Sequence, residues 1–301
     1  MAAPTVPARP SGLKIWMMAA RPPTLPAAVV PVLVGSAVAW RLGGFQLLPF
    51  LAALLAALLI QIGANFANDY FDFQKGADTD ARLGPPRVTQ QGLIAPAQVR
   101  NAMILAFALA ALLGCYLAWV GGWPIIAIGV LSIAAGVLYT GGPWPFGYHG
   151  LGDLFTFVFF GIVAVVGTAF LHLGRITPAA VFFALPVALL VTAILVVNNL
   201  RDADTDRAAK KYTLAVLFGK PFVRGEYVTL VLGAYLLLPL AIVLGYASIW
   251  VLLPLITLPL ALPQLQLVLR EQGRPLNAAL RGTARLHMVF GALLTLGLLL
   301  G

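Results

Sequence analysis

Charge and cysteine are what this sequence has least of. Only 10% of its 301 residues are Asp, Glu, Lys or Arg, and its single cysteine is Cys115. Soluble domains carry about 25% charged residues, so this composition excludes an ordinary soluble core. One cysteine rules out an intramolecular disulfide and a cysteine-based metal cluster. Apolar side chains are abundant: they make up 61% of the chain, and the mean hydropathy is +0.95. The composition is that of an integral membrane protein. A formal charge of +9 would suggest nucleic acid in a soluble chain. Here it bears on membrane sidedness, and no nucleic-acid partner is expected.

A spanning helix needs about 20 mostly apolar residues. Nine runs approach that length: 25–40, 47–67, 102–120, 124–139, 154–173, 178–198, 228–244, 249–268 and 286–300. They are too long and continuous for outer-membrane strands, which alternate over about ten residues. The fold class expected is therefore all-α, with nine transmembrane helices. Pro26, Pro31, Pro186 and Pro239 are tolerable where neighbouring helices pack against them. With the connections numbered alternately, seventeen of the nineteen Lys and Arg residues share the side of the N-terminus, and only Arg41 and Arg175 lie opposite. The positive-inside rule then puts the N-terminus in the cytoplasm and the C-terminus outside. The string Ala37-Val38-Ala39 resembles a signal cleavage site, but the long stretch before the first run and the prolines within it argue against cleavage. Residues 1–12 read as a disordered tail and 13–301 as one transmembrane domain.

All ten acids lie on the basic side, seven of them in two clusters after the second and sixth runs. The first cluster contains Asn65, Asn68, Asp69, Asp72, Asp78 and Asp80; the second contains Asn198, Asn199, Asp202, Asp204 and Asp206. If the helices continue, Asn65, Asp69 and Asp72 fall at i, i+4, i+7, with Asn68 one turn before Asp72. Asn198, Asp202 and Asp206 form an i, i+4, i+8 stripe, with Asn199 beside it. Carboxylates one turn apart repel, and a cation relieves that repulsion. Neither cluster has His or Cys, and oxygen ligands with a phosphate partner suit Mg²⁺. Arg82, Arg87, Arg201 and Lys211 could cover the phosphate oxygens left over. Two other readings stay open: solvated loop charges, and the ion-coupling site of a transporter. Against a transporter, the acids gather at one face rather than the midplane, and the nine runs carry no Asp, Glu, Lys or Arg.

These residues resemble the UbiA superfamily of intramembrane prenyltransferases, which carries two Asp-rich motifs. Asn68-Asp69 and Asp72 match its NDxxDxxxD motif up to the last position, where Gly76 stands and Asp78 follows two residues later. The DxxxGxD variant resembles the branch that prenylates 1,4-dihydroxy-2-naphthoate in menaquinone biosynthesis, the MenA branch. Gly76 would let the chain leave the helix so that Asp78 can turn back. The segments Arg21-Pro22-Pro23-Thr24, Gly84-Pro85-Pro86-Arg87, Tyr148-His149-Gly150, Lys211-Tyr212-Thr213 and Leu276-Asn277 resemble the same branch. The connection 140–152 lacks the Lys and Arg of the 4-hydroxybenzoate branch. The likeness runs from residue 13 to 300 and leaves out the tail.

The resemblance implies helices around a central cavity open to the cytoplasmic face of a bacterial inner membrane. It implies transfer of a polyprenyl group from polyprenyl diphosphate to 1,4-dihydroxy-2-naphthoate with loss of CO₂, giving demethylmenaquinone. Two Mg²⁺ ions would be held by Asn68, Asp72, Asp78, Asn199, Asp202 and Asp206, with Asp72, Asp78, Asp202 and Asp206 as the catalytic carboxylates. Arg82, Arg87, Arg201 and Lys211 would bind diphosphate; Lys14, Arg21, Tyr139, Tyr148 and Asp153 would serve the acceptor. Membrane lipid would border the apolar channel for the tail. Plainer readings stand beside these: Lys14 and Arg21 as topology determinants, Tyr139 and Tyr148 as interface anchors, and Asp153 as a helix cap. The turn glycines 141 to 147 could be ordinary, and Phe155, Phe157, Phe159 and Phe160 could be core. Another aromatic acceptor stays open, because sister branches share the Asp motifs.

Overall fold

Helices account for all the regular secondary structure in the computed structural model, which describes residues 11–76 and 82–301. They are α1 (Gly12–Ala20), α2 (Pro26–Arg41), α3 (Leu47–Gln74), α4 (Pro96–Gly121), α5 (Trp123–Leu138), α6 (Gly152–Leu173), α7 (Pro178–Ala208), α8 (Lys220–Val243), α9 (Ile249–Arg270) and α10 (Leu276–Leu300). Each of the nine expected runs falls in one of them. By length and composition seven can span a bilayer, or eight if the bent pair Gly12–Thr24 and Pro26–Arg41, inclined by 50°, is one crossing. The ninth apolar helix, α5, has 16 residues. The chain is a multi-pass membrane protein.

Helix α1 was not foreseen, because the apolar runs begin only at residue 25, beyond Lys14 and the Pro22-Pro23 pair. Of the expected tail 1–12, only Ser11 and Gly12 are described, and they open this helix. Ile15 and Ala19 turn inward, and Trp16 packs edge-on to Phe66 with ring centroids 5.9 Å apart. Leu13 and Met17 stay exposed, as on a helix lying in the membrane interface. Arg21 ends α1 at φ +53°, a left-handed conformation uncommon for a residue with a side chain. The 50° bend follows.

At the centre stands α7. Of its most apolar window 72% is buried, against 28% for α3 and α4. Val30, Phe183, Leu190, Leu238, Leu286 and Phe290 belong to the main core around it. A second core ties α1 to α3 and α4 through Phe66, Val99 and Phe107.

The two helices that carry the Asn/Asp clusters are longer than a membrane is thick. At 1.5 Å per residue the 28 residues of α3 and 31 of α7 extend about 42 and 46 Å, against about 30 Å of hydrocarbon. Their polar ends therefore project past the apolar layer. Gly76 closes α3 at φ +65°, as expected of a glycine exit. Lys210 closes α7 in the same left-handed conformation at φ +57°. Its N–H reaches Arg207 O and the Lys211 N–H reaches Asp206 O, the paired bonds of a Schellman cap. That cap folds Lys211 back over its own helix end.

Within α6, residues Phe157–Val163 form a π-helical segment whose Gly161 presses on Ala188 of α7. A Cβ on Gly161 would overlap Ala188, and packed helices relieve such overlap only by shifting backbone. Gly161→Val is therefore expected to cost about 1–3 kcal/mol, read as a lower Tm in detergent. An unchanged Tm would show that α6 and α7 are not in contact there.

Candidate active site

The projecting ends of α3 and α7 border a cavity of about 720 Å³, to which they contribute Asn68, Asp72, Asn198 and Arg201. Asp72 is buried and doubly held. Its Oδ2 accepts from Arg87 Nη2 at 2.8 Å, and its Oδ1 accepts from the Tyr148 hydroxyl at 2.8 Å. Asn68 Oδ1 accepts from the Thr140 hydroxyl at 3.0 Å, while Thr140 O takes Lys75 Nζ at 2.6 Å. Asp69 faces away from the cavity, toward Val88, Thr89 and Arg21. The i, i+4, i+7 stripe thus splits: Asn65 and Asp72 line the cavity, and Asp69 anchors the connection after α3.

On α7, Arg201 grips Asp202 through Nε at 2.8 Å and Nη2 at 2.5 Å. It also donates to Asn277 Oδ1 at 2.9 Å and Asn198 Oδ1 at 2.8 Å. Gly84 lets the loop backbone approach that guanidinium: a Cβ there would stand 2.7 Å from Nη2. Asn277 Nδ2 donates to Leu83 O at 2.9 Å, so α10 and the loop close together. Asp206 Oδ1 lies 3.5 Å from Lys211 Nζ. Burial opposes the charge on Lys211, but Asp206, Asp72 and Asp202 outweigh it and hold its pKa above the usual lysine value. Lys211 stays an ammonium at any physiological pH. Asp204 points outward to Lys220, at 2.8 Å, with a side chain 80% exposed.

Arg82, Arg87, Arg201 and Lys211, the expected diphosphate ligands, all line the cavity. Asp78 lies outside the described residues. Lys14, Arg21 and Tyr139, expected at the acceptor, line it as well. Tyr148 and Asp153 do not line the cavity, and neither do Asn199, Asp202 and Asp206, which stand behind Asn198, Arg201 and Lys211. Tyr148 spends its hydroxyl on Asp72, accepts the Tyr212 N–H at 2.9 Å, and lies under Lys75 and Lys211 at 5.0 and 5.8 Å. Its anchoring is to charge rather than to an interface. Asp153 sits behind Asn199, whose Nδ2 approaches its oxygens at 3.4 and 3.5 Å. The deeper cavity is apolar. Phe146 stacks on Phe155 at 3.8 Å, and Phe155 on Phe159 at 5.8 Å. Sequence reasoning gave no role to Thr140, Lys75 or Asn277; Thr140 and Asn277 stood only within family-like segments, and each acts through partners far away in the chain.

The donor set fits a hard divalent cation. Asn199 Oδ1 and Asp206 Oδ2 are buried and have no hydrogen-bond partner, and such oxygens are the ligands Mg²⁺ takes. Among the described residues no three His, Cys, Asp or Glu side chains form a cage by themselves, so amide oxygens and a bound phosphate would have to complete the ligand shell.

The Asp72–Arg87 pair is the test of this arrangement, since both side chains are only 8% exposed. Removing either partner alone strands a buried charge, at about 3–5 kcal/mol. Asp72→Ala, Arg87→Ala and the double variant should therefore show a coupling of roughly 0.5–3 kcal/mol in thermal melts. Strict additivity would mean that the pair does not form.

Comparison with known proteins gives a consistent picture. The model of the UbiA prenyltransferase family matches residues 28–300. The chain is 37% identical to the 1,4-dihydroxy-2-naphthoate octaprenyltransferase of Escherichia coli (strain K12) over 291 residues, covering 93% of this chain and 94% of that protein. It is 40% identical to the enzyme of the same name from Mycobacterium tuberculosis (strain ATCC 25618 / H37Rv), covering 94% and 96%. Among solved structures, a UbiA homolog from Archaeoglobus fulgidus bound to GPP and Mg²⁺ aligns with a TM-score of 0.64 at 14% identity, covering 95% of this chain and 100% of that one. At that identity the likeness is one of fold.

Proposed function

Because the chain belongs to the UbiA prenyltransferase family, we propose that it transfers a polyprenyl group from its diphosphate to 1,4-dihydroxy-2-naphthoate, with decarboxylation, in menaquinone biosynthesis. Its near full-length relatives bear the name of that reaction. One observation carries the reading: the cation-paired carboxylates of two helix ends, Asp72, Asp202 and Asp206, gather around Lys211, which lines an apolar cavity together with Asp72. A transporter needs no such cap, and family membership displaces that alternative.

Polar groups at the mouth hold the diphosphate and apolar groups below hold the tail. Mg²⁺, held by Asn68, Asp72, Asp78, Asn199, Asp202 and Asp206, would neutralise the leaving diphosphate. Lys211, Arg87 and Arg82 add donors to oxygens on which charge develops as the allylic C–O bond breaks. Arg201 contributes mainly by fixing Asp202, Asn198 and Asn277. Phe155 and Phe159 keep water from the allylic cation. The ring carbon bearing the carboxylate attacks, the new C–C bond forms, and CO₂ leaves with its bonding pair returned to the ring. Nothing is oxidised, so the product departs as the naphthalenediol form of demethylmenaquinone. Lys14, Arg21 and Tyr139 face the acceptor.

Asp72→Ala and Asp202→Ala should each abolish turnover in protein that still inserts. EDTA should stop wild-type transfer, with Mg²⁺ restoring it. Lys211→Ala should lower kcat/KM for prenyl diphosphate by about one to two decades, from a charge-assisted contact of about 1.5–3 kcal/mol, with a smaller effect on the acceptor. Near-wild-type activity in either Asp variant would remove the metal assignment.

The protein is assigned to a bacterial inner membrane with its N-terminus in the cytoplasm. A cysteine in the 82–95 connection, introduced in a Cys115→Ser background, should resist an impermeant thiol reagent in intact cells. One added after Gly301 should react. The reverse pattern would invert the topology.

A further inference from the structure

One wall of the cavity carries polar groups that the diphosphate chemistry leaves unused. Gln61 lines the cavity two helical turns deeper than Asn68, about 10 Å along α3, and is only 7% exposed. Thr24 fixes the orientation of its amide. The Thr24 hydroxyl donates to Arg21 O at 2.9 Å, so the Thr24 oxygen has only lone pairs left to offer. Those take Gln61 Nε2 at 3.1 Å and Asn65 Nδ2 at 2.9 Å. Gln61 must therefore turn its NH₂ to Thr24. Its Oε1 is left buried without a hydrogen-bond partner. Buried acceptors without a donor are rare and costly, and one on a cavity wall calls for a donor from what the cavity binds.

The neighbouring charges give that ligand a direction. Lys14, Arg21 and Arg281 line the same cavity, and Lys14 and Arg281 are exposed at its rim. A ligand anionic at one end and donating a proton at the other would satisfy both features. The wall formed by Phe155, Phe159, Ile194 and Leu195 offers neither charge nor acceptor.

We infer that Gln61 is a specificity-determining residue for the acceptor, whose phenolic hydroxyl remote from the carboxylate donates to Gln61 Oε1. For the identity of the ligand this rests on the proposed function: in 1,4-dihydroxy-2-naphthoate that hydroxyl is the 4-OH. The carboxylate then points to the rim, and the carbon that bears it lies toward the diphosphate. A quinone or a 4-ether offers Gln61 only another acceptor. The site therefore takes the reduced diol and rejects its oxidised form, since a pocket built to accept a hydroxyl proton discriminates strongly against analogues without one.

Calorimetric binding to the purified full-length protein tests this without turnover. The probes are 1,4-dihydroxy-2-naphthoate and its 4-methoxy ether, and prenyl transfer is assayed separately. Wild type should bind the diol at least tenfold more tightly than the ether. Gln61→Met should weaken diol binding about tenfold, bring the ratio near one, and leave the KM for prenyl diphosphate unchanged. Equal binding of diol and ether by wild type would overturn the inference, leaving Oε1 to a resident water, as would a ratio that persists in Gln61→Met. If Gln61→Met does not fold, Gln61→Asn keeps the amide but shortens it, and should lose part of the preference; the wild-type comparison stands regardless. Diol-selective binding without prenylated product would refute the transfer reading and leave the subsite intact.

Discussion

Three carboxylates converge at the projecting ends of α3 and α7, and a cation stands against each of them. Asp72 has Arg87, Asp202 has Arg201, and Asp206 has Lys211. The rest of the polar cap follows from those pairings. Arg87 reaches Asp72 because its neighbours Val88 and Thr89 are held against Asp69 of α3. Lys211 arrives because Lys210 accepts a left-handed conformation. Arg201 needs no loop to reach Asp202, but it draws Gly84 and Asn277 to itself. Buried pairs of this kind are weak evidence for stability. Here they specify which loop lies over which helix end.

Beneath the cap the logic reverses. Polar side chains give way to Phe155, Phe159 and the small residues of α3 and α5. The change comes along α3 and α7, whose lengths of about 42 and 46 Å exceed the hydrocarbon thickness. One helix therefore presents amide and carboxylate side chains at its end and a smooth apolar wall along the rest of the cavity.

Much of this was legible in the sequence. Each of the nine runs lies in an apolar helix, although seven of these, or eight with the bent pair, are long enough to span a bilayer, and Gly76 turns where a glycine exit was expected. Asn68, Asp72, Arg82, Arg87, Arg201 and Lys211 converge on one cavity. What was not legible depends on pairings across long stretches of chain. Tyr148 reads as an interface aromatic until the fold sets its hydroxyl on Asp72, and Asp153 as a cap until Asn199 lies against it. Helix α1 was hidden by its lysine and by prolines that end the helix without preventing it. The left-handed turn at Lys210 had no signal, because that conformation usually calls for glycine or asparagine.

The short helix α5 has a consequence for the lipid around it. Its 16 residues reach only about 24 Å, less than the hydrocarbon thickness. Of those residues only Ile125 is buried, while Ser132, Ala135 and Gly136 line the cavity. A helix this short meets a bilayer by local thinning, by flanking side chains that reach to the interface, or by contact with other helices. The side of the cavity that α5 closes is therefore the side whose fit to the bilayer varies with membrane thickness.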